Sequence, residues 1–484
     1  MQYIFYTISK HFRLPAIFLL VILNITTGCK KYLDLTLPAN QLAGDAVFAN
    51  NNAAATAVNN VFANMSGGNN FSSNTGISCF AGLYADEFTP VSTTSSTYLP
   101  FYSNILLPAQ GTAFWSNLYN YNGMYSINIC IEGLQKAEGL SMKNQLLGES
   151  YLMRALFHYY LTSLYGKIPI VTTSNAVVSN SLSRSPVADV FKQIIADARQ
   201  AKALLAFDYK NVNGATTADR GRPNKAAAAA LLARAYLYTG EWAAAAAEAG
   251  SVIDSAAAYQ LATPAAAFLL NSKELIWGLA PQVTTNVVKD ATAYYITPGV
   301  TPTAAGAAVI LSPQQVAAFE QGDARFANWV GVSTVTAGST TTSYYYPYKY
   351  KARATATTPT EYIAMFRLAE LYLVRAEARA RQDNTDGALA DLNVVRKRAA
   401  LGNAAPASKA ELLAAILHER QVELFAELGH RLFDLRRSGT LDAVMGPLAL
   451  QRTNTVWKTY MQYWPISTDD IFANPNLLQT EGYN

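Results

Sequence analysis

The densest set of chemically competent side chains in the sequence is Glu419, Arg420, Glu423, Arg431, Asp434, Arg436 and Arg437. Glu419 and Glu423 fall one turn apart on a helix, as do Arg420 and Glu423. Paired carboxylates are the equipment of a glycosidase, which needs one acid with a raised pKa at a fixed distance from the other. Here each acid has a basic neighbour, which predicts lowered pKa values and a structural ion-pair network. Asp86 and Glu87 are adjacent, and in an extended strand they point to opposite faces, so they cannot act as a pair. The four histidines, His11, His158, His418 and His430, offer no metal-ligand helix spacing. Neither a phosphate loop nor a nucleophile elbow is present. Gln382, Asn384, Asp386 and Gly387 faintly resemble the start of a calcium loop. Gln382 is a poor first ligand, however, and Asn393 stands where the bidentate Glu belongs, so a helix-to-helix turn is expected. No cofactor, metal or catalytic residue is therefore assigned.

Aromatic side chains carry the remaining functional signal. A sugar ring has an apolar face of C–H groups and a rim of hydroxyls. Tyr or Trp stacks on the face, and Asp, Asn, Arg or Tyr hydroxyls take the rim. The chain has 29 Tyr against 20 Phe and 6 Trp. The ligand-binding candidates in loop-like surroundings are Tyr84, Asp86, Tyr98, Phe101 and Tyr102 in the first half. In the second half they are Tyr294, Tyr295, Trp329, Tyr344, Tyr345 and Tyr348. Aromatics on scaffold helices, such as Tyr236 and Trp242, are assigned to packing.

Such residues need a frame. Asn224 to Asp254 is an alanine- and leucine-rich stretch of high helix propensity, broken at Gly240. Ala233, Tyr236, Gly240, Trp242 and Ala245 fall where a tetratricopeptide hairpin wants them, in a unit of about 34 residues. One such hairpin cannot bury its own apolar face, so neighbours are required. Further helical patterns run from Gln41 to Asn64, Phe114 to Leu134, Gln145 to Tyr165 and Val187 to Leu205. Helices resume at Glu361, with a turn near Asp386 and Gly387 and an amphipathic stretch from Glu411 to Glu427. Between residues 263 and 360 the helical signal fades. That part holds the strand-like run Glu274 to Ala280, many Thr and Gly, and YYYPYKY at Tyr344 to Tyr350. The expected fold is mainly α: a tetratricopeptide-like α/α superhelix with an irregular, loop-rich insert containing a few short strands. The scaffold covers mainly residues 40–65, 114–255 and 361–440, and the irregular ligand-bearing segments are 66–113 and 263–360.

Hydrophobic residues make up 51% of the 484 and charged ones only 14%, which supports a large core and excludes disorder. A net charge of +4 without a basic run gives no reason to invoke nucleic acid. Residues 1–28 read as a leader: Lys10, His11 and Arg13 precede the apolar run Leu14 to Leu23, too short to span a membrane. Thr26, Thr27 and Gly28 then lead into Cys29, like a bacterial lipobox with Thr26 in the usual Leu place. Cys29 is the expected lipidation site. Cys79 and Cys130 remain, either as a disulfide permitted by export or as two buried thiols.

Several stretches together carry a resemblance: CKKYLDLTLPANQL from Cys29, ESYLMRALFHYYLTSLYGKIPIV from Glu149, and FRLAELYLVRAEARAR from Phe366. HERQVELFAELGHRLFDLRR from His418 and YWPISTDDIFANPNLLQ from Tyr463 complete it. In this order they resemble the SusD/RagB-type outer-membrane nutrient-binding lipoproteins of Bacteroidota. The resemblance implies one SusD-like domain over residues 29–484, with a four-repeat tetratricopeptide-like scaffold. It also implies a lipid anchor in the outer membrane facing the exterior, capture of an oligosaccharide or, second, a peptide, and delivery to a TonB-dependent SusC-type transporter. Ligand residues vary within that family, so none carries over by motif. The expectation is a binding protein and not an enzyme; the alternatives are a protein-interaction scaffold without a small ligand and a surface glycosidase.

Overall fold

The alanine run forms two helices, Lys225–Thr239 and Trp242–Ile253. Asn224 caps the first, its side-chain oxygen accepting the N–H groups of Ala226 and Ala227. Gly240 ends it at φ +77°, a left-handed conformation that side chains disfavour. Every residue from Ala226 to Leu237 is buried. Small side chains permit this, because neighbours can approach from all sides. Tyr236 is buried as expected. Trp242 is only half-buried, with the Arg381 guanidinium 5.5 Å from its ring centroid.

The structure is a computed structural model that describes residues 44–67, 70–110, 113–119, 121–303 and 306–483. The leader and Cys29 lie outside the described residues. Residues 1–47 and Phe48–Asn484 form separate units, and the scaffold and insert belong to the second. Its main helices are α1 (Asn51–Gly67), α2 (Ile77–Tyr84), α3 (Ser126–Lys136), α4 (Lys143–Tyr165), α5 (Val187–Leu204) and α6 (Lys225–Thr239). They continue with α7 (Trp242–Ile253), α8 (Leu368–Arg381), α9 (Thr385–Arg398), α10 (Lys409–Leu424), α11 (His430–Arg437) and α12 (Leu441–Thr453). Packing runs as a relay, α3 on α4, α4 on α5 and so on to α8, which meets both α9 and α10. The mainly α, repeat-like scaffold is as the sequence predicts. The candidate calcium loop is the turn between α8 and α9, where the Asn384 side chain accepts the Gly387 N–H.

Buried arginines clamp successive helices. Arg154 of α4 forms a two-pronged pair with Asp197 of α5 at 2.6 and 2.8 Å. Arg234 of α6 does the same with Glu370 of α8, both bonds 2.7 Å. Arg375 of α8 holds Asp391 of α9, Arg420 of α10 holds Asp434 of α11, and Arg437 of α11 reaches Glu377 of α8. The planar guanidinium matches a carboxylate with two parallel bonds, which fixes helix orientation as well as distance.

Three local readings change. The predicted helix from Phe114 to Leu134 is broken: Ala113–Tyr119 and α3 are separated near Gly123, whose backbone leaves the helical region (φ −112°, ψ −111°). The helix expected to resume at Glu361 starts at Leu368, because Ile363–Arg367 is a strand, paired with Leu275–Leu279. The helix predicted from Gln41 to Asn64 is described as Gly44–Val47 and α1, two separate pieces. Cys79 and Cys130 are both free and buried, and burial pushes the Cys130 thiol up to about 12.

The insert contributes strands to three two-stranded antiparallel sheets among the described residues: β1 (Phe88–Pro90) with β3 (Val309–Leu311), β2 (Leu275–Leu279) with β6 (Ile363–Arg367), and β4 (Val330–Ala337) with β5 (Thr340–Pro347). A buried ion network bolts it to the scaffold. Arg367 bonds Glu274, Glu423 and Glu427; Arg325 bonds Asp323, Glu419 and Glu423; Arg398 bonds Glu274 and Glu423. Lys349 joins Glu427 and lies 4.1 Å from the Phe425 ring centroid. The ion-pair reading of the C-terminal cluster thus holds, with one correction. Burial raises Glu423, but Arg398, Arg367, Arg325 and Lys349 outweigh it and hold the carboxyl well below its ordinary value. Burial raises Glu419 more than Arg325 lowers it, so its pKa goes up rather than down.

Removing one partner of a buried pair leaves the rest uncompensated. Glu423→Gln is therefore expected to cost about 3–5 kcal/mol in urea unfolding. Lys192→Gln, which breaks the exposed Asp189–Lys192 pair, is expected to cost about 0–1 kcal/mol. Equal effects of the two would contradict the clamp.

Candidate ligand-binding site

Strand β5 sets up the site by alternation. Successive side chains of a strand point to opposite faces, so Tyr344 and Tyr346 share one face and Tyr345 takes the other. Tyr346 is buried with Ile296 and Ala307, and Tyr344, Tyr348 and Tyr295 pack half-buried around that cluster. Tyr295 meets Tyr346 edge-on at 5.7 Å and Tyr348 at 6.3 Å; Tyr346 and Tyr348 are 5.9 Å apart. The ring of Tyr346 crosses the neighbouring strand at Gly331, where a Cβ would come within 2.2 Å of it. Burial and the two other tyrosines push the Tyr346 phenol up to about 12, keeping it neutral.

Beside these rings opens a cavity of about 280 Å³. Tyr295, Arg353 and the hydroxyl-bearing Thr292, Thr297, Thr301 and Thr303 line it. Its outer loop is held to β4: Ser333 Oγ accepts the Val300 N–H and bonds the carbonyls of Thr297 and Val300. The short helix Lys289–Ala293 delivers Tyr295. It is anchored by Asp290, which accepts from Ser73 N at 2.6 Å and Ser72 Oγ at 3.1 Å. A second cavity, about 500 Å³, lies on the Tyr345 side of the hairpin against Phe319, Phe326 and Glu320.

The structure places the other candidates of the first half, and Tyr294 and Trp329, away from this cavity, all of them buried except Tyr102. Tyr84 is sealed, donating its hydroxyl to the Met461 carbonyl at 2.8 Å with its ring against Trp464. Phe101 stacks on Phe80 at 4.1 Å and also meets Trp464. Tyr98 is buried beside Phe80, and burial pushes its phenol up to about 12. Tyr102 is half-buried under Arg452. Asp86 is buried in a two-pronged pair with Arg431 at 2.7 and 2.6 Å. Tyr294 is buried toward Ser73, although its neighbour Tyr295 faces the cavity. Trp329 is fully buried, its indole N–H bonded to the Pro264 carbonyl at 2.7 Å, and Lys349 lies 4.7 Å from its ring. The rings of Tyr84, Tyr98, Phe101, Tyr294 and Trp329 sit in loop-like sequence but close the core, because flat aromatic surface is worth most when taken out of water. Of the eleven, Tyr295 lines the cavity and Tyr344 and Tyr348 back its wall. Sequence reasoning passed over Tyr346 and Arg353. The strand alternation through the tyrosine run was the signal for the first; nothing in the sequence marked the second.

A relay of helix pairs with a loop-built cavity on its insert is a tetratricopeptide-like binding scaffold in form. A family model described as "SusD family" matches residues 284–483, and one described as "Starch-binding associating with outer membrane" matches residues 31–237. SusD-like protein P2 of Formosa agariphila is 34% identical over 152 residues, 31% of this chain and 28% of that protein. The match thus spans under a third of that relative's length. The chain also resembles a SusD superfamily structure from Bacteroides vulgatus ATCC 8482 (24% identity, TM-score 0.70, 90% of this chain and 100% of that one). A laminarin-binding SusD-like protein is 22% identical with TM-score 0.70, over 90% of this chain and 99% of that one. At these identities the structural likeness is one of fold. Over these two stretches, residues 31–237 and 284–483, the chain resembles the SusD family.

Burial pushes the Asp290 carboxyl up to about 7. A carboxyl raised in the fold keeps its proton where the unfolded chain has lost it, so it lowers stability as pH climbs from about 4 to about 7. Asp290→Asn is expected to gain on the unsubstituted protein in urea unfolding between those limits. Curves that stay parallel across the range would contradict the assignment.

Proposed function

We propose that this protein is a nutrient-binding lipoprotein of the outer membrane that captures an oligosaccharide and passes it to a TonB-dependent SusC-type transporter. The cavity beside Tyr295 carries the reading. It combines an aromatic ring, a guanidinium and several hydroxyls in one concave site, the set of groups that recognises a sugar. Its volume is near the lower end for ligand cavities, about 300–1,000 Å³, which suits one end or a short stretch of a glycan. Arg353 covers one face of Tyr295, so the ring offers its edge and hydroxyl, and Arg353 extends the flat surface. The laminarin-binding neighbour of the same fold supports a glycan over a peptide. Glu419 and Glu423 support binding over glycosidase chemistry, since arginines occupy both carboxylates. The anchor in this reading is lipid on Cys29, with the protein facing the exterior.

Titration calorimetry against a glycan and peptide panel tests the capture step. Tyr295→Ala is expected to weaken oligosaccharide binding about tenfold or more, near 1.4 kcal/mol, with Tyr345→Ala close to unchanged. Full affinity in Tyr295→Ala removes this cavity as the site; loss in Tyr345→Ala moves it to the other side of the hairpin. For the anchor, Cys29→Ser is expected to shift the protein from the membrane to the soluble fraction, and retention there would refute lipidation.

A further inference from the structure

Arg353 is the one charged residue among those lining the cavity beside Tyr295, and no carboxylate is among them. Its guanidinium carbon lies 3.4 Å from the Tyr295 ring centroid. At that separation only a near-parallel guanidinium fits, because a tilted one would drive a nitrogen into the ring. Stacking therefore turns the N–H groups sideways, away from the ring and along the cavity wall. Among the described residues no acid pairs with Arg353, and it is exposed. A second cation, Lys351, stands 5.4 Å from the Tyr348 ring centroid and also forms no salt bridge among those described. The acid of this segment, Glu361, is buried and directs its oxygens to the backbone N–H groups of Lys351 and Ala352. Elsewhere buried arginines are held by carboxylates or, at Arg220, by backbone carbonyls, so a preorganised guanidinium left open at a cavity mouth stands apart.

We propose that the ligand is an acidic oligosaccharide, whose carboxylate or sulfate group docks on the Arg353 fork while the sugar lies against Tyr295 and the threonine hydroxyls. This rests on the glycan-binding reading above and narrows its substrate class. Planar bidentate geometry suits both a uronate carboxylate and a sulfate ester. Tyr295 restricts the guanidinium before any ligand arrives, which lowers the entropy lost on binding.

The test compares each acidic ligand with its neutral counterpart. Calorimetry is run with oligogalacturonate against its carboxyl-reduced form, and with a sulfated galactan oligosaccharide against its desulfated form. The acidic member of at least one pair is expected to bind about tenfold more tightly, and added salt should erode that preference. Which pair responds distinguishes uronate from sulfate. Arg353→Gln, an exposed substitution, should abolish the preference, bringing the acidic member down to the affinity of its neutral counterpart. Equal binding within both pairs, or a preference that survives in Arg353→Gln, overturns the acidic-ligand proposal and leaves glycan capture standing. Silence from these ligands and from the wider neutral panel overturns both.

Discussion

Glu423 accepts hydrogen bonds from Arg325, Arg367 and Arg398, and each of these arrives from a different part of the chain. Arg325 comes from the insert, Arg367 from the end of β6 and Arg398 from the end of α9. A fully buried carboxylate cannot stay charged on its own; it needs compensating cations in place. The requirement is mutual, since the three arginines are equally costly to bury without it. Scaffold and insert are thereby held in one arrangement. Trp329, Phe268 and Phe425 close the network from above, with Lys349 among their faces. The cavity loop, tied to β4 through Ser333, inherits its position from this junction.

The same device recurs along the scaffold at lower valence. Arg154, Arg234, Arg375, Arg420 and Arg437 each meet a carboxylate on a neighbouring helix. Alanine-packed helices have little shape of their own to set crossing angles, because a smooth apolar surface can slide. A planar, two-pronged pair, as at Arg154, Arg234 and Arg375, cannot slide without losing its bonds. The low charged content of the chain is consistent with this, since so many of its charges are internal. His158 belongs to the same interior: burial holds it down to about 4, and its Nε2 accepts the Val171 N–H. A neutral imidazole there joins α4 to the chain beyond it.

The side proposed to bind ligand is built differently. Rings that close the core, Tyr84, Phe101 and Trp329, are fixed by a hydrogen bond or by edge contacts with other aromatics. Around Tyr295, Tyr344 and Tyr348 are only partly covered, and Arg353 and Lys351 form no salt bridge among the described residues. Burial with satisfied partners makes structure, and partial cover with unsatisfied donors makes a place for a ligand. Tyr294 and Tyr295 divide between these roles although they are adjacent, because the helix ending at Ala293 turns one inward to Ser73 and the other outward.

The sequence by itself determined the helix pairs. Asn224, Gly240 and the alanine run carry their caps, break and close packing in local chemistry, and local chemistry is readable one residue at a time. The same holds for β2, whose apolar run Leu275–Leu279 reads as a strand. It also determined that the charge cluster from Glu419 to Arg437 is structural, since alternating signs at helical spacing imply pairing. The tertiary structure alone decided which rings face solvent and which acids gain or lose protons. Exposure depends on what another segment brings alongside: Trp464 covers Tyr84 from 380 positions away along the chain. Glu419 and Glu423 likewise share one helix and the same kind of neighbours, yet their pKa values shift in opposite directions, because four cations converge on one and burial prevails at the other. Such convergence is a property of folded space, and spacing along a chain does not contain it.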